Sequence, residues 1–385
     1  MDHLVARMRP YERTIFGEMS ALATRIGAVN LGQGFPDTGG PVEVRDAAQL
    51  AIVQGLGDQY PPAHGLPELR AAIIEHQARF YDLTVTDPGV VVTTGASEAL
   101  AASILALVEP GQDVMILDPY FDLYAADIAL AGAHRIAVPL TADALRPDLA
   151  AMRAALTPQT RLLILNSPHN PTGVVFTRSE LAELAAFAVE NDLLVIADEA
   201  YEHLWFDDFV HVPIATFPGM FERTVTVGSG GKSFSFTGWK VGWASGPEDL
   251  ITPVRVVRQH LSYVSGGPFQ HAIARGLRLP DAYFDRFRAD LAAKRDLLCA
   301  GLAELGFREI PPQGTYFAST DVRPLGFADG VEFCERAPHE AGVVAIPQSA
   351  LSDHPEATSP YVRWAFCKQN TVLEEALRRL RGWLG

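Results

Sequence analysis

The chain has 385 residues, 48% hydrophobic and 20% charged, a composition that fits a folded globular enzyme with room for two or three domains. Its 31 basic and 46 acidic residues leave a net charge of −15, which repels a phosphate backbone and argues against nucleic-acid binding, although a small phosphate could bind where local donors converge. Three widely spaced cysteines (Cys299, Cys334 and Cys367), the absence of C-x-x-C, a start unlike a signal peptide and the lack of a membrane-length apolar run together predict a cytoplasmic protein in a reducing compartment, with no membrane partner and no cysteine-built metal site.

In chain order, NLGQGFPDTGGP within residues 1–44 reads as an extended Gly/Pro-rich segment. VVVTT predicts a buried strand over 90–94, and ASEALAASILALV a helix over 96–108. Further strands are expected over 113–117, 161–166 (RLLILN), 193–198 (LLVIAD) and 224–229 (TVTVGS), with a helix over about 178–190. Short apolar runs between helical patterns predict an α/β domain whose mainly parallel sheet is covered by helices on both faces. From about 285 a long charged helix is followed by the short strands GTYFAST, VVAIP and YVRWAFCK, and by a final helix over 371–383. The expected division is a large domain over 45–285 and a smaller α+β domain built from 1–44 plus 286–385, with one helix able to bridge the two near residue 285.

Ligands of open α/β sheets bind beyond the carboxyl ends of the strands, so the residues at those ends carry the functional argument. After VVVTT come Gly95, Ala96 and Ser97, which make either a phosphate cradle or a plain capped helix start. After RLLILN comes NSPHNPTG, with Asn170 between two prolines in what could be a generic turn. Asp198 ends the apolar run LLVIAD, where an unpaired carboxylate is costly; it calls for a cation, whether structural or functional, and Tyr201 lies three positions on. After TVTVGS comes GSGGKSFSFTGWKVGW, with Ser229, Lys232 and Lys240. Hydroxyls, an amide, a carboxylate and two lysines therefore converge from four strand ends.

GKS at 231–233 also ends the phosphate-loop motif of nucleoside triphosphatases. That motif requires a glycine five positions before Gly231, where Thr226 stands. It should also feed a helix, whereas FSFTGWKVGW carries Gly238 and Gly242 and alternates like a strand. LLVIADE precedes GKS, while the corresponding acidic strand usually follows it in that class.

Taken together, NSPHNPTG, LLVIADEAY, GSGGKSFSFTGWKVGW and YVRWAFCK resemble the fold-type-I pyridoxal-phosphate aminotransferases, in particular the kynurenine aminotransferase and glutamine transaminase branch. NLGQGFPD, DQYPPAHGLPELR and GTYF extend the resemblance over nearly the whole chain. The spacings of 28 residues from Asn170 to Asp198 and 34 from Asp198 to Lys232 agree with the family pattern. The resemblance implies pyridoxal 5′-phosphate as cofactor, no metal, and an enzyme that moves amino groups between amino acids and 2-oxo acids. Lys232 would capture the cofactor aldehyde as an imine and later act as a base, Asp198 would pair with the ring nitrogen, and Asn170 and Tyr201 would hydrogen-bond the phenolic oxygen. Ala96, Ser97, Ser229 and Lys240 would hold the phosphate, with lysine at 240 where the wider family mostly has arginine, and Phe121 would stack on the ring.

Arg363 alternates with the core stripe Val362, Trp364 and Phe366, a position that is usually solvated; the resemblance instead makes it the clamp for the substrate α-carboxylate, with Gly34 letting backbone approach the same group. Tyr60 would reach the phosphate in a neighbouring subunit, implying a homodimer with shared active sites. Phe16, with Tyr60 and Phe121, would line a side-chain pocket suited to aromatic, sulfur-containing or uncharged amino acids. The string TIFGEMSALATRIGAVNLGQGFPD is also similar to N-succinyldiaminopimelate aminotransferases, whose substrate carries distal carboxylates; Arg13 and Arg25 lie nearby in sequence but are ordinarily surface residues. The chemical alternative is a cysteine-conjugate carbon–sulfur β-lyase, which would use the same residues.

Overall fold

In the computed structural model, which describes residues 3–142 and 144–385, the apolar runs of the middle of the chain form one seven-stranded sheet. Its strands are β1 (Val90–Thr94), β2 (Asp113–Asp118), β3 (His134–Pro139), β4 (Thr160–Asn166), β5 (Leu194–Asp198), β6 (Thr224–Ser229) and β7 (Val241–Ser245), in the spatial order β1-β7-β6-β5-β4-β2-β3. All neighbours are parallel except β7, which runs antiparallel to β1 and β6. Alternation assigns side chains to two buried faces: Leu163, Leu165, Val195 and Ala197 join one apolar cluster, and Leu162, Ile164 and Ile196 join another. Each such Leu or Ile removed from water contributes about 1.5–3 kcal/mol, which is why these runs are continuous rather than alternating in polarity.

The register aligns the polar ends of the strands. Asn166 lies opposite Asp198, Asp198 opposite Val227, and Ser229 opposite Gly242. The helix after β1 spans Gly95–Leu107, one residue earlier at each end than its sequence pattern indicates. The helix after β4 spans Arg178–Glu190 and starts with a reciprocal cap between Thr177 and Glu180.

The segment carrying the two lysines is not the strand its alternation predicts. Gly230–Ser233 form one helical turn, Thr237–Trp239 a 3-10 turn, and only Val241–Ser245 enter the sheet. Ser235 (φ 58°) and Lys240 (φ 52°) adopt left-handed backbone, which interrupts the two-residue period before β7 begins.

The second body has a four-stranded antiparallel sheet of β8 (Arg308–Ile310), β9 (Phe317–Asp321), β10 (Ile346–Pro347) and β11 (Tyr361–Ala365), in the order β10-β11-β9-β8. VVAIP, expected as a single strand, is divided: Val343–Val344 pair in parallel with Val29–Asn30, and Ile346–Pro347 pair with β11. This parallel pairing joins the beginning of the chain to its end. The helix Asp281–Glu304 runs through residue 285, with Phe284 in a cluster containing Trp243 and Ile273, and Leu291, Leu298 and Leu302 in a cluster containing Trp364 and Phe366. The final helix spans Asn370–Leu384. No helix among the described residues is long and apolar enough to cross a membrane.

Candidate active site

A cavity of 510 Å³ opens beyond the carboxyl ends of β1, β4, β5 and β6. Its lining includes Phe16, Gly34, Ala96, Ser97, Phe121, Asn170, Asp198, Tyr201, Ser229, Lys232, Lys240 and Arg363, so every residue assigned a cofactor or substrate role from the sequence except Tyr60 meets there. Tyr60 is 79% exposed and lies edge-on to Tyr263, with ring centroids 5.3 Å apart. It does not line this chain's own pocket, since it lies beyond the exposed turn that follows the helix Val42–Val53.

Asp198 is buried at the end of β5. Its Oδ2 accepts the Tyr124 hydroxyl at 2.6 Å, and its Oδ1 accepts the Ala200 N–H at 3.1 Å. Burial raises its pKa; the two hydrogen bonds and the charge of Lys232 oppose the rise. Asn166, one strand over, donates from Nδ2 to the Asp198 carbonyl at 2.8 Å, while its Oδ1 accepts the Asn170 N–H at 2.7 Å. The sheet register thereby fixes the loop that carries Asn170.

Lys232 Nζ lies 2.8 Å from the Tyr316 hydroxyl, which in turn donates to the Gly34 carbonyl at 2.8 Å. Burial lowers its pKa to about 8; Cys367 and Asp198 oppose the fall, and the positive charges of Arg363 and Lys240 add to it. An amine in this state is far more nucleophilic near neutrality than an ordinary lysine. Lys240, exposed at the pocket mouth, donates to Ser97 Oγ at 3.1 Å. Gly95 makes room for it: with φ +74°, a Cβ there would stand 3.1 Å from Lys240 Nζ. Helix N-terminus, hydroxyls and ammonium form a compact anion cradle with Ser229.

Arg363 is only 2% exposed. Its face of β11 looks onto the cavity rather than the solvent that a surface strand would meet. Its two terminal nitrogens donate to Asn170 Oδ1 at 2.9 Å and to the Gly32 carbonyl at 2.8 Å, and the guanidinium lies over the rings of Phe317 (4.0 Å) and Phe16 (4.7 Å). Nε is buried with no hydrogen-bond partner. Burial lowers its pKa to about 10, leaving it charged at neutral pH. Gly34 accommodates the same packing, since a Cβ there would come within 2.4 Å of the Phe317 ring and 3.0 Å of Tyr316. Arg13 and Arg25 are exposed, and neither lines the cavity.

The family model for aminotransferase class I and II matches residues 26–380. The chain belongs to that family. It is 51% identical to a probable N-succinyldiaminopimelate aminotransferase of Mycobacterium tuberculosis, over 98% of this chain and 97% of that protein. It is 38% identical to the methionine aminotransferase of Escherichia coli, over 96% and 95% of the two chains. Among solved structures, the N-succinyldiaminopimelate aminotransferase from Mycobacterium tuberculosis matches with a TM-score of 0.97 at 51% identity, covering 99% of this chain and 100% of that one. The protein is therefore an aminotransferase of fold type I.

Aminotransferases of this class use pyridoxal 5′-phosphate. The donor set fits that group: an anion cradle at one end, a buried carboxylate suited to a cationic ring nitrogen at the other, and a lysine of lowered pKa between aromatic walls. Sequence reasoning did not single out Tyr124, Tyr316 or Asp122. Asp122 and Tyr124 lie one and three residues beyond Phe121, a polar neighbourhood that could have marked them; Tyr316 lies in GTYF, and its only signal was membership of that motif.

Proposed function

We propose that this aminotransferase acts on an amino acid with a long side chain of the N-succinyldiaminopimelate type, with a 2-oxo acid as acceptor. The observation that carries this reading is the 51% identity maintained over 98% of the chain to the mycobacterial relative of that name. The 510 Å³ cavity has room for a substrate side chain beside the cofactor, and Arg363 supplies one carboxylate clamp. Among the described residues no cation beyond Lys232, Lys240 and Arg363 lines it, so the counter-charge for distal carboxylates would come from a second copy.

Lys232 Nζ is the attachment point for the cofactor aldehyde. When bound, the cofactor ring supplies the electron sink that makes a Cα–H bond acidic. Lys232 then moves the Cα proton, with the Tyr316 hydroxyl holding Nζ in place. Asp198 would pair with the ring nitrogen, and Tyr124 and Ala200 fix the direction of its carboxylate. Asn170, whose Oδ1 is taken by Arg363, keeps its Nδ2 donor for the phenolic oxygen, alongside Tyr201. Ala96 N–H, Ser97, Ser229 and Lys240 would hold the phosphate, and Phe121 would cover a ring face. Arg363 and Gly34 orient the α-carboxylate, with Phe16 as a wall of the side-chain pocket.

The working form is a homodimer. Ile52, Val53, Leu56, Tyr60, Leu261 and Tyr263 leave an exposed apolar surface, bridged by the Tyr60–Tyr263 ring contact, that a second copy would cover. Three free cysteines fit a cytoplasmic setting. A donor panel of N-succinyl-LL-diaminopimelate, methionine, kynurenine and glutamine, each with a 2-oxo acid, tests the substrate. The expected result is the highest kcat/KM for the succinylated donor; a preference for methionine or kynurenine overturns it.

A further inference from the structure

Away from the cavity, His76, Glu202 and His203 converge in the interior. They are 2%, 5% and 4% exposed, and their ligand atoms all lie within 4.8 Å of one another. His76 comes from the helix Pro67–Tyr81, and Glu202 and His203 from the turn directly after Tyr201. His76 Nε2 is 3.0 Å from His203 Nε2 and 3.4 Å from Glu202 Oε2. Tyr81 donates its hydroxyl to the same Glu202 oxygen at 2.7 Å. Phe80 and Phe284 wall the group, with ring centroids 4.6 Å from His76 and 4.2 Å from His203 respectively.

His76 Nε2 faces both His203 Nε2 and Glu202 Oε2, and no single tautomer serves both contacts: a hydrogen on His76 Nε2 goes to only one of them, and where His203 Nε2 donates instead, His76 has no hydrogen there for Glu202. His76 Nδ1 is buried without any partner, so the ring has no other polar engagement. Among the described residues, no lysine or arginine ion-pairs with Glu202. A divalent cation would engage all three ligand atoms and neutralise the carboxylate.

We propose that His76, His203 and Glu202 form a binding site for a divalent transition metal of the zinc class, which cross-links the helix Pro67–Tyr81 to the turn after β5. Two imidazole nitrogens and one carboxylate oxygen are a zinc-type donor set, leaving a fourth position for water. Bonds of about 2.0–2.1 Å in a tetrahedron place ligand atoms roughly 3.3 Å apart, which the 3.4 Å pair meets and the 3.0 Å pair reaches by a small ring rotation. Tyr81 supplies the outer hydrogen bond that orients the carboxylate. Binding forms three metal–ligand bonds; each neutral imidazole ligates through Nε2 and keeps its single proton on Nδ1, so the hydrogen between the two rings moves to Nδ1 and none is lost. Tyr81 also lines an open cavity of 540 Å³ with Phe217 and Phe221, which gives an ion a way in.

The test is zinc content of the untagged, full-length holoenzyme after zinc supplementation and exhaustive dialysis, compared with H76Q and H203Q. The expected result is about one zinc per chain in the wild type and a tenth of that or less in either variant. Wild-type protein with no zinc above the level of the variants overturns the site. Should neither variant fold, zinc K-edge absorption of the wild type decides: two imidazoles and an oxygen support the assignment, and an environment without imidazole refutes it. Neither readout depends on transamination, so the result stands apart from the substrate assignment.

Discussion

At the residue scale, chemistry depends on two cations of the pocket, the half-buried Lys232 and the buried Arg363. Lys232 is held at a pKa of about 8 chiefly by burial, so roughly a tenth of its amine is neutral at pH 7, against about one part in three thousand for a lysine at 10.5. Because the reactive form is the deprotonated one, uptake of cofactor by the stripped enzyme should speed up as pH rises and level off just above 8; continued acceleration to pH 10 would show an unperturbed lysine. Arg363 has both terminal nitrogens engaged by Asn170 and Gly32 and its plane sandwiched by Phe16 and Phe317, so it is fixed before substrate arrives. Arg363→Ala should raise KM for amino acids on the order of 100-fold while changing little for simple amines, measured by half-reaction kinetics; equal effects on both would remove the carboxylate role.

At the scale of elements, the loop through Gly34 is held by packing against β9. A Cβ at Gly34 would overlap Phe317, and Phe317 supports the Arg363 plane. Gly34→Ala should therefore cost about 1–3 kcal/mol in urea denaturation and also weaken amino-acid binding, which a distant cavity or loop defect would not do. The strands and their ends were readable because each is an apolar run closed by a polar residue, as in LLVIAD and RLLILN, and buried parallel strands require that pattern. What could not be read is what lies opposite in space. The Tyr124 hydroxyl on Asp198, the Tyr316 hydroxyl on Lys232 and the burial of Arg363 depend on contacts between segments 74, 84 and 193 residues apart. VVAIP was similarly ambiguous, since five apolar residues do not reveal that two pair with Val29–Asn30 and two with β11. The alternation of FSFTGWKVGW pointed to a strand because the left-handed backbone at Ser235 and Lys240 leaves no mark in polarity.

At the scale of the whole molecule, the proposed homodimer makes a prediction that a single chain cannot. If Tyr60 serves the neighbouring site, mixing Lys232→Ala chains with Tyr60→Ala chains should create heterodimers with one intact site and regain activity well above either parent. If Tyr60 serves its own site, the mixture stays as inactive as the sum of its parts; a coupled assay on subunit-exchanged samples distinguishes these.

The helix Asp281–Glu304 places Phe284 in one apolar interior and Leu291, Leu298 and Leu302 in another. The substrate clamp on β11 and the lysine after β6 thus stand on two interiors that one unbroken rod ties together, so a break in that rod would loosen the placement of one relative to the other.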